Sequence, residues 1–228
     1  EFIIEFQQMF QLIESFGGLD LEVKKINWEN PYIKWIAEKD EERIPISGYR
    51  RDFDFASTKY EMTEKWLNGL ITNRRMLSHL VLPFSFFREG MISYKKQEYI
   101  NSYLNFFLML EGAFANGKFR KKEVINEFEN SKILIDSINK AIQTLEKPTN
   151  NIHKEWLQKY FKEQVDLNTE VIIKMIVEER GALSHYSMNN KRQQRNTFEN
   201  KNYQTLAFIA LILCKYSSIK LRLEPYKK

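Results

Sequence analysis

A single cysteine, Cys214, excludes an intrachain disulfide framework and any thiolate-rich metal site. It lies in the apolar run "LAFIALILC", where a thiol behaves as a small buried hydrophobe rather than as a nucleophile. A reducing, cytoplasmic setting is therefore expected. Histidine is almost as scarce, and no two of His79, His153 and His185 have ligand spacing on a common helix face, so neither a metal nor another cofactor is expected. With only eight glycines, the chain contains no P-loop, no dinucleotide fingerprint and no Gly-x-Ser-x-Gly elbow; "GGLDLEV" has too few glycines for any of them.

Long apolar runs are also missing. "LNFFLML" and "LAFIALILC" fall far short of the roughly 20 residues that cross a bilayer, and no basic-then-apolar leader opens the chain, so no membrane association is expected. The chain begins "EF" without methionine, and the expectation is that an upstream part precedes it.

What is present is a globular composition. Hydrophobic residues at 43% and aromatics at 14% are enough for a sizeable core, and a compact fold of this size buries roughly 70% of its extended-chain surface. The net charge of +5 tilts partner choice modestly toward polyanions.

Residues 1–90 read as a mixed α+β lead-in. "EFIIEFQQMFQLIESFGG" has helical amphipathicity, with Gly17 and Gly18 as its stop. "LDLEVKKINW" opens with strict apolar alternation and predicts a strand, and "RIPISGYRRDFDF" predicts an edge strand carrying Pro45. Residues 58–82 are helical again, up to Pro83. Residues 91–228 form a separate, helical region with blocks at 95–115, 120–146, 151–186 and 200–222. Asn116-Gly117, Pro148 with Asn150-Asn151, and the polar stretch 189–196 separate these blocks, and the third should break near Asp166 acting as an N-cap.

In the first block Tyr99, Tyr103, Phe106, Phe107, Leu110 and Phe114 recur at three- and four-residue spacing. That makes one wide apolar face, read as core rather than as a base-stacking ladder. Val171, Ile172, Met175, Ile176 and Leu183 make a comparable stripe in the third block. A mainly α fold, a bundle of antiparallel helices, is the economical way to bury such faces.

Two islands carry chemistry, "NRRMLSH" with Arg74 and His79, and "ERGALSH" with Arg180 and His185. The first is read within a helix of the lead-in, where a histidine is more often a packing residue. The second closes a long amphipathic helix and runs into the basic, amide-rich loop "SMNNKRQQRN" before the apolar helix "YQTLAFIALILCKY".

On these residues the chain, over about 95–222, resembles the HEPN domain family, helical bundles marked by an arginine, four to six residues, and a histidine. The resemblance implies a metal-independent endoribonuclease whose arginine and histidine meet across a homodimer, of a kind found in phage defence and toxin systems. Arg180 and His185 would be catalytic, supported by Ser184 and Tyr186, with Lys191, Arg192 and Arg195 tracking RNA; Arg74 and His79 form a second candidate pair. A regulatory protein or an upstream sensor domain is the other expected partner. Helix geometry agrees with a composite site, because five residues along a continuous helix turn about 500° and leave Arg180 and His185 about 140° apart. Either Gly181 lets the helix unwind or a second copy completes the site.

The family commonly has a polar residue where this chain has Gly181. That keeps open a non-catalytic HEPN-like module that binds a nucleotide, an RNA or a protein partner. A third reading is a helical interaction domain in which Arg180 pairs with an upstream glutamate, although Glu178 and Glu179 do not lie at the three- or four-residue spacing of a helical ion pair.

Overall fold

The computed structural model describes residues 2–24, 26, 62–162, 166–184 and 200–223. Among them the chain is mainly α-helical, a helical bundle with no strand. Helix α1 (Phe2–Asp20) runs through Gly17 and Gly18, the residues expected to stop it. The glycines permit close packing instead: a β-carbon on Gly18 would stand 2.6 Å from Arg88 Cγ, and one on Gly17 would stand 3.0 Å from Val23 Cγ2. The helix closes after them, where the Gly17 carbonyl accepts from the Leu21 and Val23 amides at 2.8 and 3.0 Å and Glu22 takes a left-handed φ of 57°.

That left-handed residue also explains why no strand opens at "LDLEV", the start of the strand expected at "LDLEVKKINW"; residues 25, 27 and 28 of that stretch lie outside the described residues. Leu19 and Asp20 belong to α1, and residues 21–24 fold back on it, so the apolar alternation serves a helix exit. The second expected strand, residues 43–55, lies outside the described residues. In α2 (Glu64–Thr72) the Thr63 hydroxyl caps the helix, accepting from the Trp66 amide at 3.2 Å. A short α3 (Arg74–Leu77) and a 3-10 turn (Ser78–Leu80) lead into α4 (Val81–Lys95). Pro83 does not end a helix: it occupies the first turn of α4, where its missing N–H leaves no hydrogen bond unmade.

Helix α5 (Tyr99–Phe114) matches the first expected block and is followed, after its cap Ala115, by Asn116 and Gly117, both with positive φ, 49° and 75°. The second block is two helices, α6 (Lys121–Asn130) and α7 (Lys132–Leu145). Ser131 separates them and caps α7, its hydroxyl accepting from the Leu134 amide at 3.3 Å. The third block also divides, into α8 (Asn151–Phe161) and α9 (Thr169–Ser184). The break falls near Asp166, as expected, but the capping side chain is Asn168, whose Oδ1 accepts from the Val171 amide at 3.0 Å. A 3-10 turn (Asn200–Tyr203) opens α10 (Gln204–Leu223). No described helix is long and apolar enough to cross a membrane.

Helix α5 is the axis of the bundle, packed by α4 and α10 and touched by α6 and α9. Its predicted apolar face is core, with Tyr103, Phe106, Phe107 and Leu110 fully buried. Each such side chain contributes about 2 kcal/mol by leaving water. Residue 90 falls inside α4, and α1, α4, α5, α9 and α10 share one buried cluster across it. Two of the scarce residues are core. Cys214 is buried, with its thiol against the Phe106 carbonyl at 3.4 Å, and burial pushes its pKa well up. His153 stacks on Phe208 at 4.1 Å between ring centres, with Nδ1 3.0 Å from the Thr205 hydroxyl.

Gly90 faces the Phe106 ring so closely that an added β-carbon would lie 2.6 Å from it, whereas Gly69, in α2, has nothing within 4 Å. Gly90→Ala should therefore lose about 1–3 kcal/mol through overpacking, and Gly69→Ala should gain up to about 1 kcal/mol through helix propensity, both read by urea unfolding. Burial lowers the His153 pKa below 6.5, so the unfolded chain takes up a proton before the folded one does. Stability conferred by neutral His153 is present above about pH 6.5 and is lost as pH falls through the lowered folded value. Urea midpoints between about pH 7.5 and 5 should fall less steeply in His153→Gln than in the wild type.

Candidate functional site

Tyr103, Phe107 and Glu111 are spaced by four on α5, which places them in one row along the helix. All three engage α9. The Tyr103 hydroxyl donates to the Ile176 carbonyl in the middle of α9. Burial, reinforced by the nearby Glu179, raises the Tyr103 pKa well above the usual phenol value, which keeps the hydroxyl protonated as a donor. One turn on, the Phe107 ring lies beside the Arg180 guanidinium, 5.6 Å from Cζ to the ring centre. At the end of the row Glu111 accepts from Arg180 Nη2 through both carboxylate oxygens, at 3.1 and 3.4 Å.

The consecutive charges Glu178, Glu179 and Arg180 thus go to three different helices. Glu178 pairs with Lys121 of α6 at 2.8 Å, the buried Glu179 accepts from the Tyr160 hydroxyl of α8 at 2.7 Å, and Arg180 reaches Glu111 of α5. Successive residues on a helix point about 100° apart, so three neighbours in sequence address three neighbours in space. The pairing of Arg180 with an upstream glutamate does exist, but as a contact between helices.

Arg180 opens onto a cleft of about 700 Å³, lined also by Glu111, Phe119, Arg120, Lys121 and Gly181. The side chains of Arg180 and Glu111 are 26% and 16% exposed, so the pair sits at the floor of the cleft, partly shielded from water. Helix α9 continues unbroken through Gly181 to Ser184, so the helix does not unwind there. A β-carbon on Gly181 would meet nothing within 4 Å, so no packing contact demands glycine at that position.

Ser184 ends α9; its side chain, and the whole of His185, Tyr186, Lys191, Arg192 and Arg195, lie outside the described residues. The other island is not within a continuous helix. Asn73 interrupts it, its amide and its side-chain Nδ2 both donating to the Gly69 carbonyl, at 3.2 and 2.8 Å. Arg74 is exposed at the start of α3, lining a groove with Glu5 and Ser78 against α1, while His79 is partly buried in the 3-10 turn that follows. Arg74 and His79 therefore sit on different elements.

Of the residues that shape the cleft, Glu111, Phe119, Arg120 and Lys121 were not singled out by sequence reasoning. Glu111 could have been found as the one acid interrupting the apolar stretch "LNFFLMLEGAF", and "KFRKK" as an aromatic enclosed by bases.

Removing either member of the pair leaves the other half-buried without its counter-ion, so the two substitutions should not add. A double-mutant cycle of Glu111→Gln and Arg180→Gln, read by urea unfolding, should give a coupling of about 1 kcal/mol. A coupling near zero would mean that the two side chains do not support each other.

Compared with known proteins, the chain matches no family model, no curated protein and no solved structure.

Proposed function

We propose that this chain is a HEPN-type, metal-independent endoribonuclease that cleaves RNA at a composite Arg180/His185 site in a homodimer. The supporting observation is the setting of Arg180: held against Phe107 and Glu111, near the end of α9 and just before His185 in the chain, it faces a cleft whose wall carries Arg120 and Lys121. A guanidinium aimed in advance loses little entropy on meeting a phosphate. Because α9 stays helical through Gly181 to Ser184, the helix does not unwind there to focus one copy's pair, which favours completion of the site by a second copy.

In the reaction, the ribose 2′-oxygen attacks the adjacent phosphorus while the bond to the 5′-oxygen breaks, leaving a 2′,3′-cyclic phosphate. His185 moves the proton, since imidazole titrates near neutrality, and Arg180 offsets the charge that builds on the phosphate oxygens. Phosphate and Glu111 compete for the same guanidinium, so the carboxylate acts as a placeholder for substrate. Lys191, Arg192 and Arg195 extend the phosphate track. The resemblance to HEPN ribonucleases points to a role in phage defence or as a toxin, with a regulatory protein restraining it.

The same Glu111 contact favours a second reading. An arginine already neutralised by a carboxylate can serve purely as a cross-link, and the chain would then be a non-catalytic module of the same architecture. One experiment separates the two. Purified protein with unstructured RNA in EDTA should yield 2′,3′-cyclic phosphate ends, leave DNA intact, sediment as a dimer, and lose cleavage in His185→Ala with helical circular dichroism unchanged. Intact RNA under all conditions supports the module. Cleavage that requires Mg²⁺, or that persists in His185→Ala, rejects the mechanism.

A further inference from the structure

The turn after α5 and the first residues of α6 read Lys118-Phe119-Arg120-Lys121-Lys122, an aromatic enclosed by four bases. Phe119 is 68% exposed, an unusual position for a phenylalanine in a fold that buries most of its large apolar side chains. Lys118, Arg120 and Lys122 are exposed and form no ion pair among the described residues, whereas Lys121 is committed to Glu178. The turn itself is well defined: the Lys118 amide donates to the Ala115 carbonyl at 2.8 Å, the Val124 amide to the Arg120 carbonyl at 2.9 Å, and Gly117 takes a positive φ of 75°. The exposed ring therefore projects from a fixed backbone. Phe119, Arg120 and Lys121 line the same cleft as Arg180.

A flat apolar ring surrounded by uncommitted cations answers the two chemical faces of a single strand, the unstacked base and the phosphate backbone. A duplex offers its phosphates but keeps its bases stacked. We infer that Phe119 is a base-stacking subsite for single-stranded RNA, with Lys118, Arg120 and Lys122 gripping the flanking phosphates and leading the strand into the Arg180 cleft. The subsite deepens the ribonuclease reading, resting on it for the location of the scissile phosphate, and predicts a preference for unpaired RNA.

The test is binding, measured by fluorescence anisotropy with a 2′-O-methyl RNA oligonucleotide that cannot be cleaved, beside the same sequence as a duplex. Phe119→Ala should weaken single-strand binding about tenfold and leave duplex binding within about twofold, and Phe119→Trp should restore it. Replacing Lys118, Arg120 and Lys122 together with glutamine should flatten the salt dependence of single-strand binding by about two units of slope. Circular dichroism checks that each variant is folded. Equal affinity of Phe119→Ala and wild type for the single strand overturns the subsite, as does an equal loss on the duplex. Absence of nucleic-acid binding, with Phe119→Ala altering only self-association in sedimentation, assigns the turn to a protein contact and overturns it too. If RNA survives the EDTA assay while Phe119-dependent binding is present, the ribonuclease reading falls and the subsite stands; if His185-dependent cleavage is present while Phe119→Ala binds like wild type, the reverse holds.

Discussion

The four-residue spacing of Tyr103, Phe107 and Glu111 along α5 is the constraint on which the candidate site depends. It sets a donor, a ring and a carboxylate in line opposite α9, and each finds one partner there. Elsewhere on its surface α5 packs against α4 and α10, and Phe106, Met109 and Leu110 are fully buried. An acid at the edge of such a core is costly without a counter-ion, and Arg180 supplies it. The register of α9 against α5 and the direction of Arg180 are therefore set by the same contacts.

A second arginine repeats the arrangement elsewhere in the bundle. Arg222, near the end of α10, binds Asp20 of α1 with both terminal nitrogens, at 2.9 and 2.7 Å, and its guanidinium lies 5.4 Å and 5.7 Å from the ring centres of Phe16 and Phe84. Trp66 of α2 donates its indole N–H to the same carboxylate at 2.8 Å. This cluster joins the two ends of the chain, 202 residues apart in sequence. An arginine between a ring and a carboxylate is thus a device this fold uses for joining helices. What distinguishes Arg180 is its surroundings: the cleft before it, the basic turn on its wall and the histidine that follows it in the chain.

The departures from the sequence reading share one cause. Gly17-Gly18, Pro83 and the alternating "LDLEV" are local signals, and each has more than one physical use. Glycine ends a helix when a left-handed residue is needed, but it also lets Arg88 approach α1, and only the placement of α4 decides between the two. Proline breaks a helix in its interior and is harmless in its first turn, so the meaning of Pro83 turned on whether α4 began just before it. Alternation over five residues is too short to separate a strand from a helix exit that folds back.

The sequence by itself determined what depends on periodicity and composition: the helical blocks that hold α5 to α10, though not the break at Ser131 within the second, the apolar face of α5, the buried thiol of Cys214, and the position of Arg180 near the end of a long helix. These are legible because burying a helix face requires a repeat of three and four residues wherever the helix lies. The partners of Arg180 were decided only by tertiary structure. Glu111 is 69 residues away, and no spacing rule connects one helix with another; the pair exists because Tyr103 and Phe107 lock α5 and α9 in one register. The cleft that joins the α5–α6 turn to Arg180 has the same origin, since a space between helices belongs to their packing and to no single segment of the chain.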